Sequence, residues 1–240
     1  MSLPRSALLA LWLNGVLRGS VGPDDFAAAV RSDDPQHLVV DWPGGGTLGL
    51  EQLPAAVMRA SGVSARLALP IAGDLLGLRG PSAFNTMAVD AGEAVVLAGT
   101  GLGVVPGVDA RTVLWQVGPA EAAPPLDHAE EGRQLRQALV TTTADLARLD
   151  VASWEPEIPD LLMNVRQRPD LVLPPGIGPR AAEDLERAAL CLDIVDLALR
   201  DDGGATSTYE MGERRRCLTE LDRAARRVAV AVCSDSLAAK

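Results

Sequence analysis

Between His37 and Gly118 the chain breaks into short runs, HLVVDW, TLGLEQL, ARLALPI, FNTMAV, EAVVLAG, LGVVPGV and TVLWQV, each bounded by Gly, Pro or Asp. No other feature constrains the fold as strongly. Runs of this length, mostly apolar or β-branched, predict strands, and a spacing of about 8–12 residues suits an antiparallel meander or small barrel better than parallel units. PAAVMRASG, residues 54–62, predicts a short helical interruption. Asp90-Ala91-Gly92 reads as a three-residue hairpin loop with glycine where a positive φ is cheap.

On either side the period changes. Leu8, Leu9, Trp12, Leu13 and Val16 recur at helical spacing and predict an amphipathic helix over residues 4–17. A second short helix follows in SVGPDDFAAAVRSDDP, with Pro23 near its start, Asp24 and Asp25 in its first turn and Pro35 past its end. Beyond a Pro/Ala linker at 119–127, helical periodicity returns near 128–149, 156–167, 179–200 and 208–234. PDLVLPPGIGP separates the second and third of these stretches. RDDGGATS separates the last two, with Gly203-Gly204 as a stop and Ser207 or Thr208 as a cap. The expected class is α+β: N-terminal helices at 1–36, a predominantly antiparallel β region at 37–118, and a helical bundle at 128–236 ending in an antiparallel helix hairpin.

Charge narrows the chemistry. The net charge is −10, from 32 acids and 22 bases, which argues against nucleic acid and an acidic membrane surface as partners. Lys240 is the only lysine, so the chain lacks a phosphate-loop lysine, a Schiff-base lysine and a kinase-type lysine. Cys191, Cys217 and Cys233 form no CxxC and fit buried, reduced thiols. The apolar run near the N-terminus is interrupted by Asn14-Gly15, is too short to span a bilayer, and precedes no small-x-small cleavage site. A cytoplasmic protein is expected.

The last helix carries an apolar seam, Met211, Leu218, Leu221, Ala225, Val228 and Val232, with six arginines between Glu213 and Arg227. The helix before it is acidic. Its apolar segment LCLDIVDLAL is broken only by Asp193 and Asp196, so these carboxylates are expected in a buried polar seam beside Arg216, Arg223 or Arg227. Two readings stand open. In one the hairpin is held by internal ion pairs; in the other Asp193, Asp196, Arg216, Arg223 and Arg227 form a site for a phosphorylated or carboxylated ligand.

Other motifs carry less. PGGGTLG and AGTGLGVVPG read as turns or bulges, because Gly99, Gly101 and Gly103 lead into strand rather than helix. His37 and His128 are too few and too dispersed for a zinc site or a triad, and Ser82 has no base near it in sequence. Asn85 and Thr86 read as solvent-facing strand positions, and Trp154 as a staple. No cofactor or metal is predicted. The expected function is a non-enzymatic interaction or adaptor protein with a protein partner or self-association; the alternative is a binder of, or enzyme on, an anionic ligand.

Overall fold

The computed structural model describes residues 3–148, 171–199 and 208–234. The expected helix near 156–167, Trp154, and the turn bearing Asp201, Asp202 and Gly203-Gly204 lie outside the described residues. The chain divides into two units. Among the described residues, the N-terminal unit comprises 3–126, 173–177 and 230–234, and the helical unit comprises 127–148, 171–172, 178–199 and 208–229.

The chain starts with α1 (Arg5–Leu17) and α2 (Pro23–Arg31), then β1 (Gln36–Trp42), β2 (Gly46–Gly49), a 3-10 turn (Leu50–Gln52) and α3 (Leu53–Arg59). After β3 (Ser64–Ala68) and β4 (Leu78–Gly80) come α4 (Ser82–Ala91), β5 (Ala94–Ala98), β6 (Leu102–Asp109), β7 (Thr112–Pro119) and β8 (Glu121–Ala122). The α+β class holds, with a sheet of six strands in the order β2-β1-β7-β6-β5-β3 and a small β4-β8 pair. The larger sheet is open rather than a barrel, and antiparallel except where β1 runs parallel to β7 from Gln36↔Thr112 to Val40↔Gln116.

Several local expectations are overturned. FNTMAV is not a strand but most of α4, and Gly92 is not a hairpin residue but the helix's left-handed C-cap at φ 74°. The segment alternates polar and apolar residues, yet Phe84, Met87 and Ala88 also stand at i, i+3 and i+4. Burial of that stripe decides the outcome: Phe84 and Ala88 enter a cluster with Ala68, Leu78, Val96 and Val105, and Met87 packs against it. Full burial of Phe84 contributes about 1.5–3 kcal/mol. Asn85 and Thr86 are therefore helical, Thr86 being exposed with its hydroxyl donating to Ser82 O. TLGLEQL likewise holds only the short β2 before the chain turns into the 3-10 turn.

The glycine runs form turns as expected. Gly44 and Gly45 join β1 to β2, and Gly99 and Gly101 join β5 to β6, all at positive φ. Val95 and Leu97 point to the sheet face opposite Val96, and all three are buried, so both faces of the central strands are covered. The helix α1 packs against β3, β5 and β6. It is more deeply embedded than an amphipathic helix, with ten of its thirteen residues buried.

Asn14 closes the sheet edge. Its side-chain amide donates to Ala65 O at 2.8 Å and accepts from Ala65 N at 2.8 Å, taking the place of a neighbouring strand along β3. Ser234 does the same two residues on, accepting from Leu67 N at 2.9 Å. An edge strand whose outward amides are occupied is no template for another chain.

The helical unit is built from α5 (His128–Arg148), α6 (Pro179–Leu199) and the body of α7 (Thr208–Ser234), whose last turn belongs to the N-terminal unit. The pair α6 and α7 packs together. The apolar seam of α7 is in place, with Leu218, Leu221, Ala225, Val228 and Val232 buried. No described helix is long and apolar enough to cross a membrane.

Candidate functional site

Charged side chains organise the helical unit, and α5 is their hub. Its helical period puts His128, Glu131, Gly132, Leu135 and Thr142 on one inward face. From that face Glu131, with a side chain 5% exposed, accepts two hydrogen bonds from Arg227 of α7, Nε at 2.8 Å and Nη2 at 2.6 Å. Thr142 donates to Cys217 O at 3.4 Å, and Asp145 lies 3.9 Å from Arg216. Partners rise along α5 as they fall along α7, so these two helices run antiparallel. The forked Arg227–Glu131 pair fixes both the separation and the register of the helices.

The deepest carboxylate is one that the sequence did not single out. Asp184 of α6 is 2% exposed, and its Oδ1 accepts from Arg136 of α5 at 2.8 Å and from Arg187 one turn on at 2.7 Å. Its Oδ2 lies 3.3 Å from His128 Nε2, within ion-pair distance but not aligned as a hydrogen bond. Gly132 makes this approach possible, since a Cβ there would stand 2.5 Å from Asp184 Oδ2. A glycine inside an otherwise good helix was the available sequence signal.

The expected seam of Asp193 and Asp196 takes a different form. Asp196 is exposed and Asp193 half-buried on α6, because Cys191, Val195, Leu197 and Ala198 claim the inward positions. Arg216 is held on the surface of α7 by Glu213 and Glu220, at 3.1 Å and 2.8 Å. These carboxylates keep its guanidinium protonated well beyond the usual range. Arg226 pairs with Asp222 at 2.8 Å, the i, i+4 pair anticipated from sequence.

Arg223 and Arg227 do come together. They line an open groove of about 400 Å³ between α5 and α7 with Gln134, Ala138, Glu220 and Ala224. Asp193, Asp196 and Arg216 are not part of its wall. The two alanines lower the wall of each helix, leaving a polar rim around a small-residue floor.

The N-terminal unit uses its histidine differently. His37, buried in β1, accepts from Trp115 Nε1 at Nδ1, 3.2 Å away, and its Nε2 donates to Asp34 at 3.1 Å. Asp34 in turn receives Arg5 Nε at 2.7 Å and Nη2 at 3.0 Å. The Arg5 guanidinium draws the Asp34 carboxyl down to about 2, while burial lowers the proton affinity of His37. Both imidazole nitrogens are thus engaged, and the group fastens α1 to the α2–β1 connection. The three cysteines are free thiols in buried positions; burial pushes Cys191 up to about 11 and raises Cys217 and Cys233 as well. Among the described residues no three His, Cys, Asp or Glu side chains gather as a metal cluster.

Comparison with known proteins matches both parts of the chain. The family model described as "Rv1486c-like protein, N-terminal domain" matches residues 6–129, and "Rv1486c-like protein, C-terminal domain" matches residues 129–230. The two matches meet in the first turn of α5, beside Asp127 where the helical unit begins. Two relatives come from Mycobacterium tuberculosis: uncharacterized protein MT1533 of strain CDC 1551 / Oshkosh and uncharacterized protein Rv1486c of strain ATCC 25618 / H37Rv. Each is 29% identical over 277 residues, covering 94% of this chain and 95% of the relative. No solved structure matches the chain.

Proposed function

The chain belongs to the Rv1486c-like protein family, and we propose that it is a non-enzymatic cytoplasmic interaction protein that holds a segment of a protein partner in the groove between α5 and α7. The observation that carries this reading is the groove itself, partly open and lined by the small Ala138 and Ala224 together with Arg223, Arg227, Gln134 and Glu220. Small-molecule sites are enclosed and mostly apolar, whereas protein interfaces favour arginine within a polar rim. Small floor residues let a partner's side chain approach two helix backbones. The overall charge of −10 disfavours nucleic acid as that partner.

Groove-filling substitutions test the proposal. Ala138 and Ala224 are both half-buried, and glutamine at either position keeps a strong helix former while occupying the floor. A stoichiometric partner that co-purifies with the native chain is expected to be lost from Ala138→Gln and Ala224→Gln with the helical circular dichroism unchanged. Equal retention by the variants, or no partner at micromolar concentration, overturns the proposal. The presence of Arg223 and Arg227 in one wall favours a second reading, an anionic small molecule. Its test is a thermal-shift series with nucleotides, phosphosugars and Mg²⁺, in which no stabilisation by any anion refutes it.

A further inference from the structure

One contact in the helical unit is left incomplete. Asp184 Oδ2 and His128 Nε2 are both buried and neither makes a hydrogen bond, although they stand 3.3 Å apart. A gap of that length admits no water between them, and Gly132 closes it from the α5 side, where even a Cβ would lie 2.5 Å from Oδ2. The other oxygen, Oδ1, is taken by Arg136 and Arg187. A buried carboxylate oxygen without a donor is costly, and the nitrogen facing this one belongs to a group that gains an N–H near neutral pH.

We propose that His128 and Asp184 form a proton-operated latch between the first turn of α5 and α6. A neutral imidazole has one N–H and one lone pair; taking up a proton from solvent places an N–H on both nitrogens, so Nε2 then offers one to Oδ2. The His128 side chain is 20% exposed, enough to exchange that proton, while the carboxylate it meets is 2% exposed. A charge-assisted N–H···O bond shortens to about 2.7–2.9 Å, which draws the start of α5 onto α6. The surrounding charges act in both directions. On α6, Arg187 and the exposed Arg180 oppose an imidazolium, as do Arg136 and the positive N-terminal end of α5. On α5, Glu131 favours it but is bound to Arg227 of α7, Glu130 is bound to Arg133, and Asp127 accepts from the Glu130 N–H. Arg136 and Arg187 reach Asp184 at Oδ1 with side chains 39% and 35% exposed, so solvent screens them, whereas Asp184 meets His128 directly and out of water. The nearest charge decides. The folded chain therefore holds the proton more tightly than the unfolded one, and the latch adds stability in acid that is lost as pH rises.

Urea unfolding of the full chain, followed by far-ultraviolet circular dichroism at about pH 8 and about pH 5.5, tests the latch against His128→Gln, which offers a neutral N–H but takes up no proton. The acid responses of His37 and Asp34 in the N-terminal unit are common to both chains and cancel in the comparison. The midpoint of the native chain is expected to rise relative to that of His128→Gln by about 0.3 M or more between the two pH values. In Asp184→Asn this relative gain should vanish. The His128 imidazole resonance, identified by its loss in His128→Gln, should there titrate about one pH unit or more below its position in the native chain. If Asp184→Asn does not fold, the comparison with His128→Gln decides alone. Equal pH dependence of the native chain and His128→Gln overturns the proposal, as does a relative gain that persists in Asp184→Asn. A native chain that loses ground to His128→Gln in acid also overturns it, because Arg136 and Arg187 then outweigh Asp184.

Discussion

Asn14→Leu removes the amide that covers the β3 edge. Asn14 is 3% exposed and makes three hydrogen bonds, to Ala65 O at 2.8 Å, from Ala65 N at 2.8 Å, and to Cys233 O at 3.1 Å. The last of these reaches a backbone carbonyl in the last described turn of α7. Leucine would fill the space but leave the Ala65 N–H and C=O buried without partners and take a donor from Cys233 O. Each orphan costs about 1–3 kcal/mol; allowing for partial relaxation and non-additivity, the expected loss is about 3–6 kcal/mol. That is a large share of the roughly 5–15 kcal/mol that holds a domain folded. Urea unfolding followed by far-ultraviolet circular dichroism reads the loss. With a slope of about 2–3 kcal/mol per molar urea, the midpoint should fall by about 1 M or more. The variant should also aggregate at concentrations where the parent does not, since β3 would offer unpaired strand groups. A loss below about 1 kcal/mol would refute the assignment of Asn14 as the edge cap.

Acid should weaken the N-terminal unit in two stages. Burial lowers the His37 pKa, so the unfolded chain takes up that proton more readily and stability falls as pH drops below about 6.5. Arg5 lowers the Asp34 pKa to about 2, so the stability contributed by that carboxylate is full above its unfolded pKa and lost as pH falls through about 4 toward about 2. Thermal midpoints measured from pH 7 to pH 3 should fall, and Asp34→Asn should flatten the lower limb; an unchanged slope contradicts this. Gly103→Ala would place a Cβ 2.5 Å from Phe84 Cζ and 2.7 Å from Ala120 Cβ. The overpacking is expected to cost about 1–3 kcal/mol in urea unfolding, and a neutral result would contradict the packing of α4 on β6. Cys191 and Cys233, both buried with raised pKa values, should resist a thiol reagent at pH 7 in the native state and react on unfolding; rapid native labelling would contradict their burial.

Much of this architecture was legible where local pattern and burial agree. The α7 seam, the short helix after β2 and the glycine turns follow from spacing and backbone chemistry alone. FNTMAV was misread because its alternation satisfies a strand while Phe84, Met87 and Ala88 satisfy a helix, and only packing against Val96 and Val105 separates the two. The parallel β1–β7 pairing was out of reach for another reason: it joins Gln36 to Thr112, and nothing local marks partners so distant in sequence. Asn14 was visible only as a break in an apolar run, since its role depends on a strand some fifty residues away and a helix end near the other terminus.

Within the helical unit, periodicity put Arg216, Arg223 and Arg227 beside the apolar seam of α7, but it gave no sign that Arg227 meets Glu131 of α5. It could not rank the acids of α6. Asp184 is the buried one because Gly132 leaves room for it on α5, a property of the facing helix rather than of α6. The groove escaped notice because Ala138 and Ala224 read as ordinary helix formers, and their meaning comes from facing each other across two antiparallel helices.

Site-specific photo-crosslinking reads whether a partner occupies the groove between α5 and α7. A photoreactive residue replaces Ala138, on the groove floor, or Arg133, on the outer face of α5 with a side chain 59% exposed. In native lysate one stoichiometric crosslinked protein is expected from position 138 and none from position 133, with the crosslink suppressed by Arg223→Gln. No crosslink from position 138, or the same products from both positions, would contradict a partner-binding groove between α5 and α7.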